Sequence, residues 1–309
     1  MILRGINFGR VWGASGVQGF FGEGYWYHRY LEPLGLDFAG ATFVAKTTTV
    51  PPRAGNMPLN PDWTPRDRLP DCIRVYPFRG IALNAVGLSG PGFKTLLDTW
   101  RWQRRTVPFF ISFMALGSLP EKLQQVDQFI SILESRLGEF WSPFGIQVNL
   151  TCPNAGMPSD DLVQEAFTTL NFLARLELPL VLKLVVTTHP EDAVVIARHP
   201  ACDAICVSNT VPFGKLERQI NWDNLIGKQS PLHYLGGGGL SGKPLLPLLV
   251  QWLRETRSAG LKKPINGGGG ILSSGDAQRV LDAGANGISL GSIAFLRPWR
   301  VAGIVKKFS

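Results

Sequence analysis

The chain has 309 residues, and 31 Lys and Arg against 23 Asp and Glu leave a formal net charge of +8 at pH 7. Hydrophobic residues make up 45% and charged residues 17%, which excludes a charge-rich disordered chain, and no stretch reaches the ~18 uninterrupted apolar residues of a membrane span. Four cysteines (Cys72, Cys152, Cys202, Cys206) are too few for a disulfide framework at this length, and residues 1–5 lack an apolar signal region, so the expectation is a reducing cytoplasm. With no repeat, linker or low-complexity tract, residues 1–309 are read as one domain. The positive charge fits an anionic partner (nucleic acid, an acidic membrane surface or a phosphate-bearing cofactor) and equally fits plain solubility.

In chain order, extended runs are expected near 7–13 and 41–46. Residues 47–105 are rich in Pro and Gly and weakly periodic, the pattern of a long excursion. From there strand and helix signals alternate. An apolar run at 107–113 leads into Ser118-Leu119-Pro120-Glu121, a capping-box spacing, and Val126, Phe129, Ile130 and Leu133 follow at helical intervals. Strands are expected at 146–150, 180–186, 204–208, 264–266 and 287–290, with helices at 160–176, 190–199, 245–257 and 275–283. Apolar runs such as Leu180-Val181-Leu182 fit strands covered on both faces. About eight parallel strands with crossover helices predict a (β/α)8 TIM barrel, with 47–105 lying over its C-terminal mouth; a doubly wound open sheet is the alternative.

Polar or Gly-rich residues recur at the ends of these strands, where a barrel gathers its chemistry. Gly267-Gly268-Gly269-Gly270 ends a strand before a helix near Ser273, and Gly291-Ser292 follows the next strand. Glycines let backbone N–H groups approach a phosphate, and a helix N-terminus favours negative charge, so this pair predicts a phosphate site. The run 237–242 also matches G-x-G-x-x-G, but no clear strand runs into it and no acidic residue follows at the ribose-binding distance, so a nicotinamide fingerprint is rejected. Asn149-Leu150-Thr151-Cys152-Pro153-Asn154 offers a thiol between two carboxamides. The thiol is read as a proton-transfer group and the asparagines as donor-acceptor pairs for a cyclic amide or imide. None of the four histidines belongs to these clusters, which leaves cysteine-protease chemistry unsupported. Lys46 and Lys183, within apolar strands, can balance a substrate carboxylate or a developing flavin anion. Cys202 and Cys206 are read as core, with no metal site.

Taken in order, these clusters resemble the dihydroorotate dehydrogenases, FMN-dependent barrel enzymes. The resemblance rests on residues 43–49 with 52–58, on Leu83-Asn84-Ala85-Val86-Gly87-Leu88, on 149–154, on Gly239-Leu240-Ser241-Gly242-Lys243-Pro244, and on the stretch from Ile265 to Gly291-Ser292. It implies that Cys152 takes the C5 proton of dihydroorotate while the C6 hydride passes to FMN. It further implies that Asn84, Asn149, Asn154, Asn209 and Thr210 bind the pyrimidine, and that Lys46 with the amides of Val86, Gly87 and Leu88 holds the carboxylate. Ala14, Ser15, Lys46, Thr47, Asn149, Lys183, Ser208, Gly242, Gly269, Gly270, Gly291 and Ser292 would line FMN. Cysteine at the base position resembles the soluble class, so no membrane and no nucleic acid is expected, with a homodimer and an electron-transfer partner subunit as associations. The electron acceptor (fumarate, NAD through a partner, or another) is left open. Residues 61–78 are longer and more charged than the family pattern. A tRNA-dihydrouridine synthase, also an FMN barrel with a Cys-Pro motif, and a catalytically silent flavin-binding barrel are the competing readings.

Overall fold

The computed structural model describes residues 1–151 and 162–309. Seven parallel strands form one curled sheet. In spatial order they are β3 (Val11–Gly13), β13 (Gly287–Leu290), β12 (Ile265–Gly268), β9 (Ala204–Asn209), β8 (Leu180–Val185), β7 (Phe144–Asn149) and β6 (Phe109–Phe113). The gap between β3 and β6 is closed by residues 42–48, which bridge Trp12 to Thr42 on one side and Val44 to Phe110 and Thr48 to Phe113 on the other, all parallel. This eighth stave is irregular for a local reason: the Lys46 amide leaves the ring and donates to Gly19 O at 2.9 Å. The predicted barrel is present.

The pleat places the chemistry. Side chains alternate faces along a strand, and the buried residues sort accordingly into two clusters. Phe43, Ala45, Phe109, Ile111, Phe113, Ile146, Val148, Leu180, Leu182, Ile205, Val207, Ile288 and Leu290 pack outward against the helices. Trp12, Val44, Phe110, Val181, Ala204 and Cys206 pack inward. Continuing each inward column to the strand's C-terminal end leads to Ala14, Lys46, Ser112, Asn149, Lys183 and Ser208. Apolar below and polar above, the interior is a core that ends in a site.

The lower end is plugged. A hairpin of β1 (Ile2–Leu3) and β2 (Ile6–Asn7), unanticipated because each strand has two residues, brings Leu3 and Phe8 into the inward cluster. Phe8 stacks on Phe110 at 4.2 Å, and Trp12 lies 4.6 Å from the same ring. Gly145 makes room, since a Cβ there would sit 2.6 Å from the Phe110 ring. Phe110→Ala should therefore cost about 3–5 kcal/mol of stability, measured by denaturant unfolding.

The outer ring is made by α3 (Leu119–Glu134), α4 (Leu162–Leu173), α5 (Pro190–Ala197), α7 (Leu245–Ser258), α8 (Ser274–Asp282) and α10 (Val301–Phe308). Glu121 accepts from the Ser118 N–H and hydroxyl, each at 2.7 Å, and these bonds hold its carboxyl below the usual range. A buried ion pair, Lys122 Nζ to Glu165 Oε2 at 2.7 Å, joins α3 to α4. The expected start of that helix, 160–161, lies outside the described residues.

Two strands of the excursion join two short strands from residues 211–242 in an antiparallel sheet over the mouth, not foreseen from the sequence. Its order is β10 (Val211–Pro212), β11 (Gly239–Gly242), β5 (Ile81–Asn84), β4 (Ile73–Tyr76). The run 237–242, rejected as a dinucleotide turn, supplies β11. Its glycines serve close approach, because a Cβ on Gly242 would fall 2.2 Å from Gly80 O.

Candidate active site

One cavity of about 660 Å³ occupies the mouth, within the ~300–1,000 Å³ usual for ligand sites. The strand ends deliver Ala14, Ser15, Lys46, Thr47, Asn149, Lys183, Ser208, Asn209, Thr210, Gly291 and Ser292 to its wall, and the mouth sheet adds Asn84, Val86, Gly87 and Leu88. Ser208 and Asn209, neighbours that a regular strand would point to opposite faces, both reach it. The register slips opposite them at Leu184/Val185, so Asn209 faces Val185. Cys152 and Asn154 lie outside the described residues.

At one end a recess of about 40 Å³ is lined by Ala14, Ser208, Thr210, Ser241, Gly268, Gly269, Gly270, Gly291 and Ser292, with no carboxylate among its described residues. Side chains are excluded by geometry: a Cβ on Gly268 would meet Ser208 and Ser289 Cβ at 2.8 Å, and one on Gly270 would meet Leu246 N at 2.6 Å. The N-terminus of α8, capped by the Ser273 hydroxyl accepting from Asp276 N at 3.1 Å, follows directly. Gly242 lines neither hollow but backs the recess, its carbonyl 2.8 Å from that same Gly270 Cβ position. Backbone donors and hydroxyls suit a phosphate, while the α8 N-terminus itself is already met by Asp276, whose carboxylate accepts from Leu272 N at 3.1 Å and the Ser273 hydroxyl at 2.8 Å.

At the middle the amides are oriented. Asn209 Nδ2 donates to Asn149 Oδ1 at 2.7 Å, to Thr151 O at 3.0 Å and to Thr151 Oγ1 at 3.1 Å. With these bonds made, Asn149 presents its N–H2 and Asn209 its carbonyl, a donor beside an acceptor. Lys46, buried, donates to Ser89 O and lies 4.7 Å over the Phe20 ring. Lys183, also buried, sits opposite Asn149 in the β7–β8 register. Gly87 and Leu88 adopt φ of +70° and +61°. Their loop is pinned from behind: Arg53 Nε donates to Gly87 O at 2.7 Å, Asn56 N to Val86 O at 2.8 Å and Asn56 Nδ2 to Ala85 O at 2.7 Å. The carbonyls are thus engaged away from the cavity that Val86, Gly87 and Leu88 line.

A chain of hydroxyls escaped the sequence reading. Ser15 Oγ donates to Ala45 O at 2.9 Å, so Thr47 must donate to Ser15 (2.9 Å) and Ser112 to Thr47 (2.8 Å). Ser112 was legible as the inward phase of the 107–113 run, two residues after Phe110. Tyr25, a wall residue also missed, donates to Gly16 O at 2.9 Å. Burial, then Glu23 and Cys72, push its phenol upward, keeping it neutral. Cys202 and Cys206 are buried, as read from the sequence, and Cys72 is buried too: burial pushes Cys72 up to about 11 and Cys202 up to about 12, and raises Cys206 as well. None of these is a thiolate near neutrality.

His28, in α1 (His28–Leu31), has a buried Nε2 without a hydrogen-bond partner among the described residues, and burial lowers its pKa to about 4. Its unfolded value is ~6.5, so between the two the unfolded chain binds more protons and stability falls as pH falls. His28→Phe should flatten the thermal-stability profile between about pH 6.5 and 4, checked by melting temperature across pH.

The family described as dihydroorotate dehydrogenase matches residues 5–309. The catalytic subunit of dihydroorotate dehydrogenase B (NAD(+)) from Latilactobacillus sakei is 26% identical over 295 residues, 94% of this chain and 86% of that protein. The protein of the same description from Desulforamulus reducens is 30% identical over 303 residues, again 94% and 86%. Among solved structures, the Eimeria tenella enzyme titled as DHODH in complex with ferulenol superposes with a TM-score of 0.68 at 18% identity, covering 99% of this chain and 82% of that one. With the family match running almost end to end over a barrel whose strand ends converge on one glycine-floored cavity, the chain belongs to the dihydroorotate dehydrogenase family.

Proposed function

We propose that this chain oxidises dihydroorotate to orotate with FMN as its flavin. The observation that carries the reading is the oriented Asn149–Asn209 pair beside a carboxylate-free glycine recess in one cavity. Bound FMN would supply the two-electron acceptor for the C6 hydride. Its phosphate would be held by the Gly269-Gly270 and Gly291-Ser292 turns, and Ala14, Ser15, Thr47, Lys183 and Ser208 would hold the ring system. Asn149 donates to a ring carbonyl of the pyrimidine and Asn209 accepts from a ring N–H, with Asn84, Asn154 and Thr210 completing the set. The pinned loop 86–88 turns its amides to the substrate carboxylate, whose charge Lys46 balances. Cys152 Sγ, as thiolate, would take the C5 proton; the C5–H pair becomes the π bond of C5=C6, and the C6–H pair departs with its hydrogen as the hydride. The relatives' names describe those proteins as catalytic subunits; we extend this to a homodimer served by a separate electron-transfer subunit, read from solution mass and co-purification.

The test is optical. The purified protein should be yellow and should bleach anaerobically on addition of dihydroorotate. Bleaching only by a nicotinamide donor, with reoxidation by tRNA, would replace this reading with a dihydrouridine synthase. A colourless or unresponsive protein would leave a silent barrel.

A further inference from the structure

Phe20 lies in none of the segments on which the family likeness rests, yet its ring faces the lysine assigned above to the substrate carboxylate. Lys46 Nζ sits 4.7 Å over the centre of that ring, inside the ~6 Å within which a cation gains from an aromatic face. Both groups are withdrawn from water: Phe20 is 1% exposed and Lys46 8%. The ring is set by its backbone. Phe20 N donates to Glu23 Oε1 at 2.9 Å, and the Phe20 carbonyl accepts from the Trp102 indole at 2.7 Å. The preceding carbonyl, Gly19 O, accepts from the Lys46 amide at 2.9 Å, so the turn that carries the ring is bonded to the lysine it faces. A Cβ on Gly90 would press to 3.1 Å from Phe20 Cζ, so bare backbone at that position leaves the ring its place. The ammonium also donates to Ser89 O, and Ser89 is braced in turn by Met57 N and Val86 O. Ring and carbonyl thus share the ammonium, and Ser89 follows directly on Val86, Gly87 and Leu88.

We propose, on the dihydroorotate reading above, that Phe20 is a positioning residue: the face of its ring holds the Lys46 ammonium in place for the carboxylate of the pyrimidine. Shape alone does not ask for an aromatic here. A leucine would fill much of the same volume, but its surface returns nothing electrostatic to a cation that has lost its water. The negative face of a ring does, and most strongly where water is excluded. The contact is also made before any substrate arrives. The long, flexible lysine is therefore ordered in advance, and the cost of ordering it is not charged to binding. Because the contact serves the bound substrate and the transition state alike, its loss falls on affinity and not on the chemical step.

The test replaces Phe20 by 4-fluorophenylalanine and by 3,4,5-trifluorophenylalanine, introduced at that position alone, which withdraw electron density from the ring face and nearly keep its shape. Orotate affinity of the flavin-loaded protein is read by titration calorimetry. The dissociation constant should rise about two- to threefold with one fluorine and about tenfold with three, at an unchanged melting temperature. Steady-state oxidation of dihydroorotate should show the same rise in KM, with the limiting rate within about twofold of the unsubstituted protein. Phe20→Leu should lose at least as much affinity as the trifluorinated protein. Equal affinity across the fluorinated series, or a loss confined to Phe20→Leu, makes the ring a packing element only and overturns the proposal. Either of those results leaves orotate bound by the unsubstituted protein, and the dihydroorotate reading stands. An unsubstituted protein that does not bind orotate removes that reading, and the role of Phe20 with it.

Discussion

Gly270→Ala should abolish stable flavin binding. The added Cβ falls 2.6 Å from Leu246 N and 2.8 Å from Gly242 O, both main-chain atoms with no rotamer through which to yield. Gly270 also has φ of +75°, where an L side chain costs ~1–2 kcal/mol. Opening the turn to relieve either strain moves the amides that would face the phosphate. We expect flavin retention through purification to drop about tenfold or more, read from the ratio of visible to ultraviolet absorbance. Gly275→Ala is the control. It lies in the first turn of α8, the nearest atom to its new Cβ is Ser273 Oγ at 3.7 Å, and a helical Gly→Ala change is mildly stabilising. Full flavin content in both variants would remove the glycine recess from the account.

Cys152→Ser should leave the flavin bound and slow its reduction by dihydroorotate ~10²–10⁴-fold at neutral pH, the usual worth of a positioned general base. A thiol with a reference pKa of ~8.5 is partly ionised near neutrality, whereas a serine hydroxyl is not. The wild-type rate should therefore rise with pH through the thiol's ionisation, and the variant should recover only at much higher pH. Anaerobic stopped-flow absorbance measures both limbs. Identical rates for the two proteins would exclude Cys152 from proton transfer. The other three cysteines cannot stand in for it, since burial raises every one of them.

The barrel strands were legible because their two-sided burial writes continuous apolar runs, and the outer helices because their apolar residues recur at helical spacing. The polar tips of the inward columns were legible for a related reason. Lys183 after Val181, and Ser208 after Cys206, interrupt apolar runs at the one phase that points inward. The mouth sheet was not. β5 and β11 hold four residues each, β11 has glycine at two of its four positions, and the two strands pair across more than 150 residues, a distance over which local periodicity is silent. The hydroxyl chain from Ser112 to Ser15 was hidden likewise, because its members belong to three separate segments. Arg53 falls within the 52–58 segment, yet its task, holding the Gly87 carbonyl from behind, is visible only once the excursion is folded.

The amide that leaves the ring at Lys46 has a mechanical consequence. Because it donates to Gly19, the turn running from Ala14 to Gly19 is fastened to the lysine that reaches Ser89 across the mouth. Ala14 borders the recess at one end of the cavity, and Ser89 braces the loop at the other. The turn that borders the recess and the loop that lines the cavity wall are therefore joined through a single stave, with Lys46 as the shared link.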